Sequence, residues 1–394
     1  MGETTGGGGW RRAGFAGAAI GVLAAGAAAG VAVERLTVGR SVRQKARLAL
    51  DATGPYGTLR GTPGRALADD GTALAYETDE ADGTGAAEEI GAADGTGSAD
   101  GTGSADGTGV AEGDGEAPVT VVFSHGFCLS QDSWHYQRAA LRGRVRTVFW
   151  DQRGHGRSAR GPEEPVTIDR LGRDLKAVID AAAPEGPLVL VGHSMGGMTV
   201  MALADRYPEL IRDRVAGVAL IGTSAGRLEE VSYGLPLAGV NAVRRILPGV
   251  LRALGSQAEL VEKGRRATAD LFAGLVKKYS FASKDVDPAV VRFAERMIES
   301  VPVDVVAAFY PAFGAHDKLA ALAAFRGLPA LALAGDQDLV TPASHTEAIA
   351  EALPGSRLVI VPDAGHLVML ERPGAVTDAL AALLAGAGEG PDNG

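Results

Sequence analysis

Val189-Leu190-Val191-Gly192-His193-Ser194-Met195-Gly196-Gly197-Met198 is the stretch from which the rest of the chain can be read. Its β-branched apolar run predicts a buried strand. An Ala-rich helical pattern starts at Met195 with no room for a loop, so the G-x-S-x-G pentapeptide from Gly192 to Gly196 is a sharp strand-to-helix turn carrying Ser194. The glycines two places before and two after Ser194 are needed where a Cβ would collide with neighbouring backbone. The following helix points its unpaired N–H groups and positive dipole end at the Ser194 hydroxyl, which favours negative charge there. Such a pentapeptide arises by chance in a chain with 56 Gly, and it is the strand before and the helix after that give it weight.

Upstream, Val119 to Ser124 predicts a buried strand leading into His125-Gly126-Phe127, and Val145 to Trp150 a second one leading into the Gly- and His-rich loop Asp151 to Ser158. Gly57 to Arg60 and Arg65 to Glu77 read as two short strands around the turn signal Asp69-Asp70-Gly71. Ile168 to Ala182 has helical spacing, Met195 to Ile211 is the helix after the turn, and Val215 to Gly222 is the next strand. Strands alternating with helices imply an α/β fold with a mostly parallel, doubly wound sheet, in which ligands bind at the carboxyl ends of the strands.

After Thr223 the alternation stops, and the helical segment 226–326 predicts a cap inserted between a first core half, 48–225, and a second, 327–386. The stretch from 224 to 326 holds nine of the chain's twenty aromatic residues, among them Phe272, Tyr279, Phe281, Phe309, Tyr310 and Phe313, which suit either the cap's own core or an apolar substrate pocket. Alternation resumes with a strand from Leu328 to Ala334, a helix from Ala343 to Leu353, a strand from Leu358 to Val361 and a last helix from Val376 to Leu384, before a short tail, 387–394.

Charge and composition exclude several classes of function. The formal charge of −10 is an effect of residues 77–116, which hold twelve Asp and Glu and no Lys or Arg; without them the chain stands near +2 and has no basic face for nucleic acid. Residues 79–117 repeat Ala-Asp-Gly-Thr-Gly and are too polar to offset ordering entropy, so a disordered insertion is expected there. That repeat lacks the nine-residue period and apolar anchors of calcium-binding repeats. Cys128 is the single cysteine, which excludes an intramolecular disulfide and a thiolate zinc site. No motif asks for a metal, nucleotide or flavin, and no cofactor is expected.

At the other end, Ala13 to Val33 run without a charge, long enough to cross a hydrocarbon core of about 30 Å as a helix. The segment 1–47 is therefore read as a tail with a single membrane span. The arginines and lysine from Arg35 to Arg47 outnumber Arg11 and Arg12 and tip the catalytic part toward the cytoplasm; a cleaved signal and secretion are the alternative.

Four motifs together give the chain its likeness: His-Gly-Phe at 125–127, Asp-x-x-Gly-x-Gly-x-Ser from Asp151 to Ser158, the turn at Gly192 to Gly196, and a late acid and histidine. In this order and at strand ends they resemble the serine-nucleophile, esterase- or lipase-like branch of the α/β-hydrolase superfamily, from about residue 57 to 385. The resemblance implies Ser194 as nucleophile, His366 as base and Asp338, in an Asp-x-x-x-Pro pattern ending at Pro342, as the acid that orients it. Asp336 is the rival acid, with Glu229 and Glu230 behind it. By position the oxyanion donors are the backbone N–H groups of Phe127 and Met195, while His193, His125 and His155 look structural and His316 and His345 carry no motif. A Ser in place of an Asp nucleophile disfavours the epoxide hydrolase and haloalkane dehalogenase branches. The implied partner is a small-molecule ester or a lipid. Cofactor-free perhydrolysis or C–C bond hydrolysis on the same residues, and a non-catalytic membrane-associated binding protein, remain alternatives.

Overall fold

Period-2 alternation inside continuously apolar runs builds the centre of the molecule. In the strand Thr120–Ser124, Val121 and Phe123 are buried on one face and Val122 on the other; in Leu188–His193, Val189 and Val191 oppose Leu190. Strands buried on both sides need helices on both sides, which is the condition of a parallel sheet. The computed structural model describes residues 55–82, 118–162, 166–232, 245–246, 249 and 276–388.

In chain order the strands are β1 (Thr62–Leu67), β2 (Ala73–Asp79), β3 (Thr120–Ser124), β4 (Arg146–Trp150), β5 (Leu188–His193), β6 (Val215–Ile221), β7 (Ala330–Gly335) and β8 (Arg357–Val361). The helices are α1 (His135–Leu141), α2 (Ile168–Ala182), α3 (Met195–Arg206), α4 (Pro208–Arg214), α5 (Pro288–Ser300), α6 (Val303–Gly314), α7 (Ala343–Ala352), α8 (Val368–Glu371) and α9 (Pro373–Gly388). They surround one sheet of order β1-β2-β4-β3-β5-β6-β7-β8, in which only the pairs made by β2 are antiparallel.

Strand order reverses at β3, which has β4 on one side and β5 on the other. The crevice above a reversal is where ligands enter such sheets. Ser124 pairs with Gly192 in register, so the loop after β3 and the turn after β5 leave the sheet side by side. Leu175, Val178 and Ile179 of α2 and Val200, Met201 and Leu203 of α3 cover one face; Val368, Val376 and Leu380 cover the other, joined by Val290, Phe293, Ala294 and Met297 of α5.

Four details differ from the sequence reading. Residues 57–60 are not a strand: Thr58 N–H donates to Pro55 O at 3.1 Å across a turn in which Gly57 has φ +73°, and pairing begins at Thr62. The helix expected to run to Ile211 breaks after Arg206, because Pro208 has no N–H to continue it and opens α4 instead. Asp79 to Asp82, expected within the acidic insertion, are held on the core. Asp79 is buried within β2 against Arg138, Glu80 pairs with Arg146, and Asp82 N–H donates to Gly143 O at 2.9 Å, whereas 83–117 lie outside the described residues. The end of the expected cap belongs to the core, since Leu322 and Phe325 pack with the α2–α3 face and Lys318 N–H donates to Ala225 O at 2.7 Å. The expected span at 13–33 lies outside the described residues, and among the described residues no helix is long and apolar enough to cross a membrane.

Candidate active site

Backbone crowding fixes the turn after β5. Ser194 has φ 52° and ψ −118°, a conformation a non-glycine residue holds only when its surroundings over-determine it. Its N–H donates to Ile221 O at 3.0 Å, and its carbonyl accepts from Gly197 and Met198 at 2.9 and 3.2 Å and from the Thr223 hydroxyl at 2.7 Å. A Cβ on Gly192 would lie 2.5 Å from Gly196 O, and one on Gly196 would run into the Ser124 carbonyl and sit 2.8 Å from that of His125. The spacing of the two glycines is thus imposed by the helix α3 returning across the ends of β3 and β5.

A hydrogen-bonded relay starts at that serine. Ser194 Oγ lies 3.0 Å from His366 Nε2, and His366 Nδ1 lies 2.8 Å from Asp338 Oδ2. With Nδ1–H donating to the carboxylate, Nε2 is left unprotonated and accepts the Ser194 O–H. Asp338, 4% exposed, sits on the loop after β7, and its Oδ1 accepts from Val340 and Thr341 N–H at 2.7 and 2.9 Å while the Thr341 hydroxyl donates to Oδ2 at 3.0 Å. Burial pushes the Asp338 carboxyl up, but His366 and these backbone donors more than offset it, and the net shift is downward. The rival Asp336 is exposed and caps the backbone N–H of Ala364 at 3.2 Å; Glu230 pairs with Arg227 at the surface. The structure therefore brings Ser194, His366 and Asp338 together and leaves Asp336, Glu229 and Glu230 outside the relay.

On the opposite side of Ser194, the loop after β3 turns through Gly126–Leu129, closed by Leu129 N–H to Gly126 O at 3.2 Å with Cys128 at φ 59°. Phe127 lies within this turn and Met195 is the first residue of α3, the position at which a helix N–H has no acceptor within its own helix. The histidines flanking the site are structural. His155 Nδ1–H donates to Arg153 O at 2.9 Å and its Nε2 accepts Cys128 N–H at 3.1 Å, so it holds the Phe127 turn in place. His125 likewise donates to Gly126 O at 2.7 Å and accepts Gln152 N–H at 3.0 Å. His193 Nε2–H donates to His366 O at 2.9 Å, supporting the neighbouring residue rather than entering the pocket. The roles of His125 and His155 require a neutral ring, and burial pulls the pKa of His125 down to about 4 and those of His155 and His193 to about 3.

The family model described as alpha/beta hydrolase fold matches residues 119–373. The chain belongs to the α/β-hydrolase family. Among its relatives, 3-oxoadipate enol-lactonase 2 of Acinetobacter baylyi is 26% identical over 67% of this chain and 88% of that protein. Epoxide hydrolase A of Mycobacterium tuberculosis is 30% identical over 68% of this chain and 91% of that protein. The solved structure of a thermophilic esterase from Thermogutta terrifontis shares the fold, with a TM-score of 0.58 and 23% identity over 82% of this chain and 98% of the other. These relatives support a hydrolytic activity and differ among themselves in the bond named.

Within this α/β-hydrolase, the rim of the site is apolar. The half-buried Phe127 ring meets Phe313 at 5.0 Å edge-to-face and Phe309 at 5.7 Å, with Met195, Met198, Leu228, Val231 and Val305 in the same cluster. The cap's aromatics divide in a way composition could not show: Phe281, Phe293 and Phe325 join the main core, and Phe309 is buried against the rim, while Phe313 remains half-buried above Phe127. Three supporting residues carry almost no mark in the sequence. Thr223 and Glu371 act on backbone groups and the Thr341 hydroxyl on the Asp338 carboxylate, and only the short spacing of Thr341 from Asp338 and of Glu371 from His366 hints at them.

Proposed function

We propose that the protein is a serine hydrolase of carboxylic esters. The observation that carries this reading is the relay from Ser194 Oγ through His366 to Asp338, with Ser194 at the head of α3. A serine hydroxyl is almost wholly protonated at neutral pH and needs such a base to attack a carbonyl. His366 Nε2 takes the hydroxyl proton as Oγ bonds to the acyl carbon, and the Phe127 and Met195 N–H groups receive the oxyanion, each donor being worth about 3 kcal/mol. The alcohol leaves with the proton from His366. Water then attacks the acyl-enzyme by the same route in reverse, releasing the acid and restoring the Ser194 hydroxyl. Asp338 holds the imidazole in the tautomer that keeps Nε2 free and stabilises the imidazolium.

A serine at 194, rather than a carboxylate, argues against the epoxide hydrolysis named for one relative. The lactone named for the enol-lactonase relative is an internal ester and fits acyl transfer to serine. The apolar rim favours an apolar acyl group. The uncharged run 13–33 is read as a membrane anchor with the hydrolase on the cytoplasmic side, which suits a lipid-like ester. Deleting residues 1–47 then moves the protein from the membrane pellet to the soluble fraction with activity kept.

The decisive experiment is labelling with a fluorophosphonate probe together with hydrolysis of p-nitrophenyl esters, in the native chain and in Ser194→Ala. Labelling at Ser194, and a fall in kcat of roughly 10⁶-fold in the variant, is the expected result. A protein that is neither labelled nor active on esters is a binding protein. One that is labelled but prefers peracid formation or a diketone belongs to the alternative reactions on the same residues.

A further inference from the structure

Glu371 is a buried carboxylate, 7% exposed, at the end of α8, and its hydrogen bonds come from main-chain N–H groups of two separate segments. Oε1 accepts from Ala282 at 3.0 Å and Ser283 at 2.7 Å, in the loop that precedes α5; Oε2 accepts from Gly365 at 2.6 Å and Ala282 at 3.3 Å. Gly365 is the residue before His366. On the other side of that histidine, Leu367 N–H donates to Ser280 O at 2.9 Å, and the His366 carbonyl accepts from His193. A Cβ on Gly365 would lie 2.9 Å from Ser280 O, Phe281 C and Ala282 N, so the two segments touch backbone to backbone. The imidazole at 366 is thereby clamped from both peptide neighbours by residues 280–283.

We propose that Glu371 is a positioning residue for the reaction: its carboxylate ties the segment 280–283 to the His366 loop and sets the distance from His366 Nε2 to Ser194 Oγ. Three peptide N–H groups converge on the carboxylate, and only a group with acceptors on both oxygens satisfies them. An amide replaces one acceptor with a donor, so Glu371→Gln sets N–H against N–H either at Gly365 or at Ala282 and Ser283. A shift of the loop by a fraction of an ångström lengthens the Ser194–His366 hydrogen bond, and errors of about 1 Å in such geometry cost on the order of 100-fold. This inference rests on the relay reading for its catalytic consequence, not for its structural one.

Two measurements keep those apart. The first is the proton resonance of His366 Nδ1–H, moved far downfield by its bond to Asp338, in the full chain and in Glu371→Gln, alongside amide exchange at Ala282, Ser283 and Gly365. The resonance should shift or broaden away and the three amides should lose protection while the melting transition is retained. The second is steady-state hydrolysis of a p-nitrophenyl ester, normalised to Ser194 sites titrated with fluorophosphonate. Here kcat should fall about 10- to 100-fold with KM within about threefold, and Glu371→Asp, which keeps both acceptors, should recover part of the loss. An unchanged Nδ1–H resonance in a folded Glu371→Gln protein overturns the proposal, as does a kcat per titrated site within twofold of the native value. Loss of the resonance in a protein that hydrolyses no ester leaves the positioning role standing and removes the esterase reading instead.

Discussion

The turn that carries Ser194 and the helix α6 that faces it are held by different forces. At the turn, backbone meets backbone: Gly192 and Gly196 face peptide atoms where a Cβ would stand, and Ser194 is held in strained geometry by bonds from Gly197, Met198 and Thr223. At α6 the contact with the site is made by rings, Phe309 and Phe313 against Phe127, which require only an apolar group of suitable bulk. Nothing lies within 4 Å of a Cβ on Gly314 at the end of that helix. On the proposed reading, the chemistry lies where substitution is excluded, and α6 is the candidate for selectivity.

The comparison is broken first at the relay. Asp338→Asn leaves His366 free to adopt the wrong tautomer and should lower kcat by about 10⁴-fold, whereas Asp336→Asn, on an exposed residue capping Ala364, should stay within about threefold. Both are to be measured on one activated ester, with thermal melting as the check on folding. An equal or larger loss at Asp336 removes Asp338 from the relay.

Glycine substitutions test the same contrast through stability. Gly196→Ala drives a methyl into the Ser124 carbonyl and should destabilise by about 3 kcal/mol, seen as a melting temperature lower by roughly 5–10 °C. Gly314→Ala should change stability by no more than about 0.5 kcal/mol. Equal effects at both sites would mean that the turn relaxes as readily as the cap.

What the sequence made legible follows the same division. The strand-end motifs could be placed because each joins a local period to a turn that tolerates only glycine, as at Val189 to Gly196, and β3, β4, α2 and β5 begin and end within a residue or two of their expected bounds. Long-range packing left no such mark. No pattern in Val290, Phe293 or Met297 says that α5 covers the sheet and not the pocket, and Glu371 could not be singled out because its partners are peptide groups, those of Ala282 and Ser283 about ninety residues away. The break at Pro208 is written in the residue itself, since its missing N–H ends the longer helix that the apolar spacing alone suggests.

Acid should find the turn before the cap. His125, His155 and His193 are buried and neutral beneath the site, with folded-state pKa values near 4, 3 and 3. In the unfolded chain each titrates near 6.5, so below that pH the unfolded state binds more protons and stability falls as pH falls. Their contribution is intact above about pH 6.5 and is lost progressively toward the folded values. Each ring should cost about 2 kcal/mol between pH 6.5 and pH 5. Urea unfolding at pH 7.5, 6 and 5 reads this directly, and His155→Gln should flatten the slope by one ring's share. A stability independent of pH across this range would show that the three rings are charged or solvated in the folded protein.

The smallest expected effect concerns Phe313, and it decides whether α6 sets selectivity. Phe309 is 1% exposed and packs as core, so truncating it should cost about 3–5 kcal/mol of stability and would say nothing about substrate. Phe313 is half-buried and lies 5.0 Å from Phe127, whose own backbone N–H is the proposed oxyanion donor, so an acyl chain leaving Ser194 on that side would run along the Phe313 ring. Phe313→Ala should then leave kcat on p-nitrophenyl acetate within about twofold while lowering the ratio of kcat/KM for octanoate over acetate by roughly tenfold, the scale of about 1.4 kcal/mol that one lost apolar contact supplies. A uniform loss on both esters, with a lowered melting temperature, would make the ring part of the cap's packing. An increase in the octanoate ratio would make it a gate that restricts the pocket, and would place the acyl group beyond α6 rather than beneath it.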